Sequence, residues 1–457
     1  MTVDRPDAVV VGAGVIGTAI ALELARTGRQ VVVVDKAGAA GHGSTGASSA
    51  IVRFNYSTFD GVATAWESLH LWASWPEHLR LATDRRPLAA FHRTGAVLLD
   101  PPFPEPADTT ALFDLAGVPY ERWDTAALRE RLPGIDTGRY WPPKPVDDDA
   151  FFDGPAGELG ALFTPDAGFV DDPQLAAQNL ADAAGELGAR FLFHRTVVAV
   201  DRHADRVTGL RLADGARIAA PVVVNAAGPW SGGLNRLAGV GSDFTIGVRP
   251  LREEVHQIAA PDSSTTGLTA GPAVGSTADH TADSTVGSGS LPVVADVDLG
   301  TYLRPAAGGR LLIGGTQPDC DPAEWIDDPD EADPRPTAHH FRTQVTRAAR
   351  RFPGITVPNR PVGIAGVYDA ADDWTPIYDR TALDGYYVAM GTSGNQFKNA
   401  PLVGRYLATL IDLVEAGHDH DGDPVRYRCE HTGNVVDLGA FSRRRPVRSG
   451  SARTVMG

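Results

Sequence analysis

Three glycines near the N-terminus have the spacing of a turn that binds a dinucleotide. Gly12, Gly14 and Gly17 follow a β-branched apolar run at residues 9–11 in the order G-x-G-x-x-G. The first glycine permits a tight turn, the second lets a pyrophosphate approach the backbone, and the third lets a helix pack on the strand. Asp35 follows about twenty residues later, where a carboxylate accepts a hydrogen bond from a ribose hydroxyl. These residues predict a nucleotide cofactor; the alternative is a glycine-rich turn without a ligand.

The elements that must position this turn are a strand, a helix and a second strand. Apolar residues recur at helical spacing through residues 16–25, and Gly28 stands where the helix would end. Residues 31–34 are four consecutive valines that stop at Asp35, which predicts a second buried strand. A β-α-β unit of this kind is typical of a doubly wound sheet.

Two later segments offer backbone and hydroxyl donors to a cofactor. Residues 40–49 (AGHGSTGASS) can wrap a phosphate or a flavin edge. Residues 221–225 form another apolar strand that opens into the small residues 226–231 (AAGPWS). We expect this strand end to be a second place where backbone meets the cofactor.

Composition excludes several function classes. The net charge is -16, from 41 basic and 57 acidic residues, which argues against nucleic-acid binding and against adhesion to an anionic membrane. No apolar run approaches the roughly 20 residues of a membrane span. The first residues enter the first strand without the regions of a secretory signal. We therefore expect a cytoplasmic protein.

Metal ligation has no good candidate in the sequence. Cys320 and Cys429 stand alone, without the spacing of a metal site. His339, His340 and the polar stretch 418–423 also lack a recognised ligand spacing, and we expect them to be solvated.

Two segments are predicted to lie outside the folded domains. Residues 262–290 consist of Ser, Thr, Gly, Ala and Asp with almost no large apolar residue, which predicts a flexible low-complexity insertion. Residues 442–457 carry a cluster of arginines, which predicts a disordered basic tail.

Five motifs occur in order along the chain: GAGVIG with Asp35, the STGASS loop, NAAGPWS, the YLRP and GGRLLIGG strand pair, and SGNQFKNAP. Together they resemble the D-amino-acid oxidase superfamily of FAD enzymes, and most of all its sarcosine oxidase and dimethylglycine dehydrogenase branch. The resemblance implies a mixed α/β and α+β fold, with a doubly wound Rossmann-type FAD domain interrupted by an antiparallel-sheet substrate domain. It divides the chain into an FAD domain of residues 5–85, 152–245 and 361–418 and a substrate domain of residues 86–151 and 246–360.

The resemblance also implies which residues hold the FAD. The three glycines would face the pyrophosphate, the backbone at Val198 would touch the adenine, and the loop around Gln396 would meet the pyrimidine end of the flavin. The full expected set is Gly12, Gly14, Val15, Ile16, Gly17, Asp35, Lys36, Ser44, Thr45, Ala47, Ser48, Val198, Ala227, Gly228, Gly394, Asn395, Gln396, Phe397 and Lys398.

Three residues match substrate positions of the family. Arg53 falls where sarcosine oxidases hold a substrate carboxylate, and Lys398 falls where a lysine shares that duty. A carboxylate near an apolar flavin loses its water, so it needs charge-assisted partners, and an arginine fork suits it best. Tyr302 lies on a strand whose equivalent faces the substrate. The alternative is that these three are ion-pair or core residues, and we expect Tyr56 and His256 to be structural.

The chain departs from the family at its covalent tethers. Gly366 stands where monomeric sarcosine oxidases have a flavin-bonded cysteine, and Ala47 stands where the dimethylglycine dehydrogenase pattern has a histidine. We therefore expect non-covalent FAD. Tyr302 corresponds to the lysine that helps oxygen react, so the electron acceptor is open among oxygen, a quinone and an electron-transfer protein.

The resemblance implies oxidation of a small carboxylate-bearing amine or amino acid. Hydride transfer to flavin N5 would give an imine that water hydrolyses. The alternatives are an FAD-dependent 2-hydroxy-acid dehydrogenase and a non-catalytic FAD-bearing assembly factor; the later motifs disfavour a nicotinamide dehydrogenase. The substrate side chain and the oligomeric state stay open.

Overall fold

The glycine-rich turn follows the first strand of a six-stranded sheet that is parallel except at one edge. The structure, a computed structural model, describes residues 5–81, 86–100, 106–261 and 291–447. The insertion predicted at 262–290 and the last part of the predicted tail, 448–457, lie outside the described residues.

The strands are short and mostly buried. In chain order they are β1 (Ala8–Val11), β2 (Val31–Val34), β3 (Ile51–Val52), β4 (Phe91–Arg93), β5 (Ala96–Leu99), β6 (Glu121–Trp123), β7 (Ala161–Thr164), β8 (Gly168–Val170), β9 (Arg190–Leu192), β10 (Val197–His203), β11 (Arg206–Leu212), β12 (Arg217–Ala219), β13 (Val222–Asn225), β14 (Val248–Ala259), β15 (Val293–Asp296), β16 (Thr301–Ala306), β17 (Arg310–Gly315), β18 (Glu324–Trp325), β19 (Gly363–Ala371), β20 (Ile377–Arg380), β21 (Tyr386–Met390), β22 (Arg426–Arg428) and β23 (Val435–Asp437).

The α-helices of the described residues are α1 (Val15–Arg26), α2 (Phe59–Ala73), α3 (Trp75–Leu79), α4 (Pro106–Ala116), α5 (Thr125–Arg131), α6 (Pro173–Glu186), α7 (Ser231–Ala238), α8 (Ala338–Arg351) and α9 (Ala400–Glu415). Short 3-10 helices span Ser44–Ala47, Asp149–Phe152, Gly228–Trp230, Pro329–Glu331, Phe397–Asn399 and Leu438–Phe441.

The first sheet has the order β20-β21-β13-β1-β2-β9 and is covered on both faces. Helix α1 packs on one face between α6 and α9. Gly404 lets α9 come close, because a Cβ there would lie 2.5 Å from the carbonyl oxygen of Ala19. The opposite face packs against α7 and the three-stranded sheet β10-β11-β12. Burial on both faces explains why β1 and β2 are almost entirely valine.

The second large sheet has the order β18-β14-β17-β16-β15-β5-β7-β6, with β19 also paired to β14. Its pairs are antiparallel except β15 with β5. Helix α8 and a cluster of apolar side chains cover one face, and the other face turns toward the first sheet's cofactor cleft. The predicted fold class is confirmed.

The strand pairings cross two of the predicted domain boundaries. Strand β7 pairs with β5, and strand β19 pairs with β14, so both belong to the second sheet. The sequence placed residues 161–164 and 363–371 in the FAD domain. A short buried strand has a similar apolar composition in either sheet, so composition alone does not reveal the strand with which it pairs.

The first part of the predicted disordered tail is packed into the fold. Arg443 is 0% exposed, and its guanidinium contacts Asp243 at 2.8 Å, Asp379 at 3.1 Å and Asp421 at 2.8 Å. Arg445 is 5% exposed. These acidic partners come from distant segments, and for that reason the arginine cluster resembles a solvated tail in the sequence.

Candidate functional site

A cleft of about 1130 Å³ opens where β1 and β2 end, between the two large sheets. Most of the predicted cofactor residues border it: Gly12, Gly14, Val15, Ile16, Asp35, Lys36, Ser44, Thr45, Ser48, Ala227, Gly228, Gly394, Gln396 and Phe397. The structure therefore brings together segments from the first, middle and last parts of the chain. Their roles toward a cofactor stay predictions.

The glycine turn is shaped by close backbone approaches. Gly12 has φ +109°, and a Cβ there would lie 2.3 Å from the carbonyl oxygen of Ala226. At Gly17 a Cβ would lie 1.9 Å from the carbonyl oxygen of Gly12. Gly17 is absent from the cleft wall, so its role is the packing of helix on turn. Gly12 and Gly14, by contrast, both border the cleft.

Side chains from two other segments hold this turn in place. The Ala13 N–H donates to Asp35 Oδ2 at 2.6 Å, and the Val15 N–H donates to Thr45 Oγ1 at 3.0 Å. Ser44 Oγ in turn donates to the carbonyl oxygen of Val367 at 2.5 Å. Asp35 and Thr45 therefore organise the turn as well as border the cleft.

Four predicted cofactor residues besides Gly17 are absent from this cleft wall. Ala47 packs against Gly366: a Cβ added at Gly366 would lie 2.7 Å from the Ala47 methyl group. Val198 is 47% exposed, and Val197 borders the cleft in its place, next to an irregularity in the β10–β11 pairing. Asn395 and Lys398 border the adjoining pocket described below.

Lys36 closes one end of the cleft with two residues that the sequence did not single out. Its Nζ lies 4.0 Å from the centre of the Trp230 ring and forms an ion pair with Asp330. Trp230 Nε1 also donates to Asp330 Oδ1 at 3.0 Å. The NAAGPWS motif contains Trp230, whereas Asp330 comes from an acidic loop that gave no signal.

A smaller pocket adjoins the cleft and contains all three predicted substrate residues. Its wall includes Arg53, Tyr302 and Lys398, and it shares Tyr368 and Gly394 with the cleft. The cofactor cleft and the predicted substrate pocket are therefore continuous.

Arg53 and Lys398 lie against the same aromatic ring. The Arg53 guanidinium carbon is 5.5 Å from the centre of the Tyr56 ring, and Lys398 Nζ is 4.8 Å from it. Lys398 Nζ donates to the carbonyl oxygen of Asn395 at 2.6 Å, and Arg53 donates to the carbonyl oxygen of Asn55. Residues far apart in sequence thus form one wall of the pocket on either side of the Tyr56 ring.

Burial dominates the electrostatics of this wall. Arg53 is 7% exposed and Lys398 is 2% exposed. Desolvation lowers the pKa of Arg53, and desolvation together with the neighbouring Arg53 charge lowers the pKa of Lys398 well below its usual range. Desolvation likewise raises the pKa of Tyr56 to about 12. A carboxylate entering the pocket would relieve both cations, since an opposite charge favours their protonated forms.

The rings of two tyrosines in the same pocket pack directly against glycines. Tyr302 Oη donates to Ser49 Oγ at 3.1 Å, and a Cβ at Gly314 would lie 2.4 Å from the Tyr302 ring. A Cβ at Gly394 would lie 2.2 Å from the ring of Tyr368. Tyr368 was missed from the sequence, although the AGVYD segment that contains it was singled out for Gly366.

His256 lies on the opposite face of the second sheet. Its ring packs edge-on to Phe341 of α8 at a centroid distance of 5.3 Å, and desolvation lowers its pKa to about 4. His256 is therefore separated by the sheet from the pocket of Arg53 and Lys398.

The potential ligand cluster of Glu254, Glu324 and His340 belongs to an ion-pair network in the described part of the chain. Arg252 Nη1 contacts both carboxylates at 2.8 Å.

No helix among the described residues is long and apolar enough to cross a bilayer.

The cleft fits the FAD that the sequence predicts. Gly12 and Gly14, which have the spacing of a turn that approaches a pyrophosphate, both border the cleft. Asp369 borders the cleft and is 2% exposed; its Oδ1 accepts from Thr392 Oγ1, whereas Oδ2 has no hydrogen-bond partner among the described residues. Burial raises the pKa of this carboxyl. A bound cofactor can supply the missing donor.

Comparisons with known proteins agree with this geometry. Residues 7–410 match the family model described as DAO, FAD dependent oxidoreductase. Glycine oxidase of Geobacillus kaustophilus is 28% identical over 422 residues, covering 91% of this chain and 95% of the relative. Sarcosine oxidase subunit beta of Arthrobacter sp. is 26% identical, covering 94% and 92%. The L-proline dehydrogenase structure from P. horikoshii shares the fold, with a TM-score of 0.71, 21% identity and coverage of 97% and 98%. The chain is a member of the DAO family of FAD-dependent oxidoreductases.

Proposed function

We propose that the chain oxidises a small amine or amino acid that carries a carboxylate next to the reacting carbon. The observation that carries this proposal is the buried cationic wall of Arg53 and Lys398 beside the cofactor cleft. An arginine fork matches a carboxylate in charge and geometry, and a nearby carboxylate favours the protonated forms of both side chains. The names of two relatives, glycine oxidase and sarcosine oxidase subunit beta, support the same substrate class.

FAD, when bound, accepts a hydride equivalent at N5. The chain's own residues would supply orientation and electrostatics. Arg53 and Lys398 would hold the carboxylate, and Tyr302 with Tyr368 would line the rest of the pocket. The C–H bond beside nitrogen would then face the cofactor cleft. Water would hydrolyse the resulting imine after its release from Arg53 and Lys398.

An anaerobic substrate panel tests this proposal. The flavin absorbance of the purified protein is followed after mixing with N-methyl amino acids, unmodified amino acids, amines without a carboxylate, and 2-hydroxy acids. We expect bleaching only by amines that carry a carboxylate. Bleaching by hydroxy acids alone would identify a hydroxy-acid dehydrogenase, and no bleaching by any class would indicate a non-catalytic flavoprotein.

The same reduced protein identifies the electron acceptor. Its reoxidation is compared with oxygen, a soluble quinone and an electron-transfer flavoprotein, and the fastest acceptor defines the protein as an oxidase or a dehydrogenase.

A further inference from the structure

Strand β14 carries an acidic side chain on the face of the second sheet that holds two tyrosines of the substrate pocket. Side chains alternate between the two faces of a strand, so Arg252 and Glu254 lie on one face and Glu253 on the other. Arg252 Nη1 and Glu254 Oε1 are 2.8 Å apart on the face covered by α8. Glu253 therefore belongs to the face that carries Tyr302.

The pairing register places Glu253 between the two pocket tyrosines. Gly314 of β17 pairs with Tyr302 on one side and with Val255 of β14 on the other. The Tyr302 ring crosses Gly314 and so extends toward β14. Two residues before Val255, Glu253 comes next along the same face.

On its other side, Glu253 neighbours the position of Tyr368. Leu251, two residues earlier on β14, pairs directly with Tyr368 of β19. Glu253 itself pairs with Gly366, against which Ala47 packs so closely that a Cβ at Gly366 would lie 2.7 Å from the Ala47 Cβ. The carboxyl group is thus flanked by both tyrosines that border the pocket of Arg53 and Lys398.

Electrostatics agree with this placement. Desolvation is the main cause of the raised pKa of Tyr302 and of Tyr368; the negative charge of Glu253 adds to both shifts, and the positive charge of Arg53 opposes the shift of Tyr368. Tyr368 is therefore close enough to both Glu253 and Arg53 for each charge to act on it.

Glu253 is half-buried. Desolvation raises the pKa of Glu253 to about 7, and a hydrogen bond with Gln317 opposes this rise. The groups on its own face are Tyr302 and Tyr368, whereas the charges of His340 and Glu254 act from the opposite face of the strand: His340 lowers the pKa of Glu253, and Glu254 and Asp321 raise it.

We propose that Glu253 binds the cationic amino group of the substrate, so that the site recognises a zwitterion with its carboxylate at Arg53 and Lys398. This inference rests on the proposed function and specifies its substrate class further: an amine that binds as the ammonium form. The ammonium group would pass one proton to the Glu253 carboxylate before the hydride leaves the neighbouring carbon, because formation of the imine needs the nitrogen lone pair. Charge complementarity at both ends would fix which carbon faces the cofactor cleft and would exclude simple carboxylates.

Two inert ligands of the same shape test the inference without turnover. N,N,N-trimethylglycine and 3,3-dimethylbutanoate differ in one atom, a cationic nitrogen against a neutral carbon, and neither has a nitrogen lone pair to support oxidation. Their dissociation constants for the FAD-loaded protein are measured by flavin absorbance and by calorimetry. At about pH 8.5, where Glu253 is ionised, we expect the wild type to bind the cation tighter by about tenfold or more.

In Glu253→Gln we expect the two dissociation constants to agree within about twofold. Glu254→Gln, on the opposite face of the same strand, is the matched control and should keep the wild-type preference. Should Glu253→Gln fail to fold, the wild type alone remains informative, because its preference should shrink at about pH 5.5 as Glu253 is protonated.

Three results would overturn the inference: no preference in the wild type, an unchanged preference in Glu253→Gln, or no binding of either ligand. Loss of the preference in Glu253→Gln supports it even if no amine bleaches the flavin, and in that case the proposed function alone has failed.

Discussion

Lys398 and Tyr56 donate hydrogen bonds to the same acceptor, the backbone carbonyl oxygen of Asn395, at 2.6 and 2.7 Å. That oxygen keeps a partner if the lysine turns toward a substrate carboxylate. Lys398 is therefore held ready inside the protein, and its burial has a cost in stability, because desolvation lowers its pKa.

Replacement of this lysine should stabilise the protein while impairing carboxylate binding. We expect Lys398→Met to raise the free energy of unfolding of the ligand-free protein by about 1–4 kcal/mol. Since the pKa of Lys398 is lowered in the folded state, the unfolded chain binds the proton more tightly. The penalty in the wild type is thus largest at low pH and declines as pH rises toward 10.5.

Urea unfolding of both proteins at about pH 6 and about pH 9 measures this effect. The stabilisation by Lys398→Met should be larger at the lower pH. Destabilisation by the methionine at both pH values would show that the buried ammonium contributes net stability instead.

Arg53 should control substrate affinity more than the chemical step. Arg53→Gln removes a charge-assisted partner of the carboxylate, and we expect kcat/KM to fall by about 10- to 100-fold, mainly through KM. Arg53→Lys keeps the charge without the planar fork and should lie between glutamine and the wild type. Steady-state kinetics with a carboxylate-bearing amine provide the measurement, and unchanged kinetics in Arg53→Gln would reject the clamp.

Gly12 should be essential for FAD binding. In Gly12→Ala the added methyl group would meet the carbonyl oxygen of Ala226 at 2.3 Å, and φ +109° disfavours any side chain. We expect FAD affinity to fall by at least about 100-fold. Gly43→Ala is the control, because Gly43 also borders the cleft and a Cβ there meets nothing within 4 Å. Quenching of free-FAD fluorescence measures both affinities, and equal affinities would contradict the account of the turn.

The packed part of the C-terminal arginine cluster should matter for stability. Arg443→Ala leaves the buried carboxylate of Asp379 without its arginine partner, and we expect a loss of about 3–5 kcal/mol. Arg444→Ala is the matched control: Arg444 contacts Asp243 and Asp421 at 3.2 Å, but its side chain is 49% exposed. Its effect should stay below about 1 kcal/mol. Equal unfolding midpoints for the two variants would place Arg443 in solvent.

Local patterns predicted the cofactor turn well. The spacing of Gly12 and Gly17 encodes steric contacts within a short segment, and the structure contains those contacts. The family resemblance also brought Arg53 and Lys398 to one pocket, although no local rule links residues so far apart.

The partners of a strand in the folded sheets could not be predicted from the composition of that strand. The residues of β7 and β19 have an apolar composition that suits either large sheet. The acidic partners of Arg443 come from segments far apart in the sequence. Glu253 was not singled out for a different reason. In the sequence it stands between Arg252 and Glu254 and resembles part of a solvated run of charges. In the folded strand, side chains alternate between the two faces, so Glu253 lies on the face opposite its two neighbours.

The most direct test compares one amine with and without its carboxylate. The amino acid that bleaches the flavin fastest in the anaerobic panel is mixed with the protein by stopped flow beside the same amine in which hydrogen replaces the carboxylate. We predict that the rate constant of flavin reduction at low substrate falls by at least about 100-fold without the carboxylate, and that Arg53→Gln removes most of this difference. Equal rates for the two amines in the wild type would contradict the account.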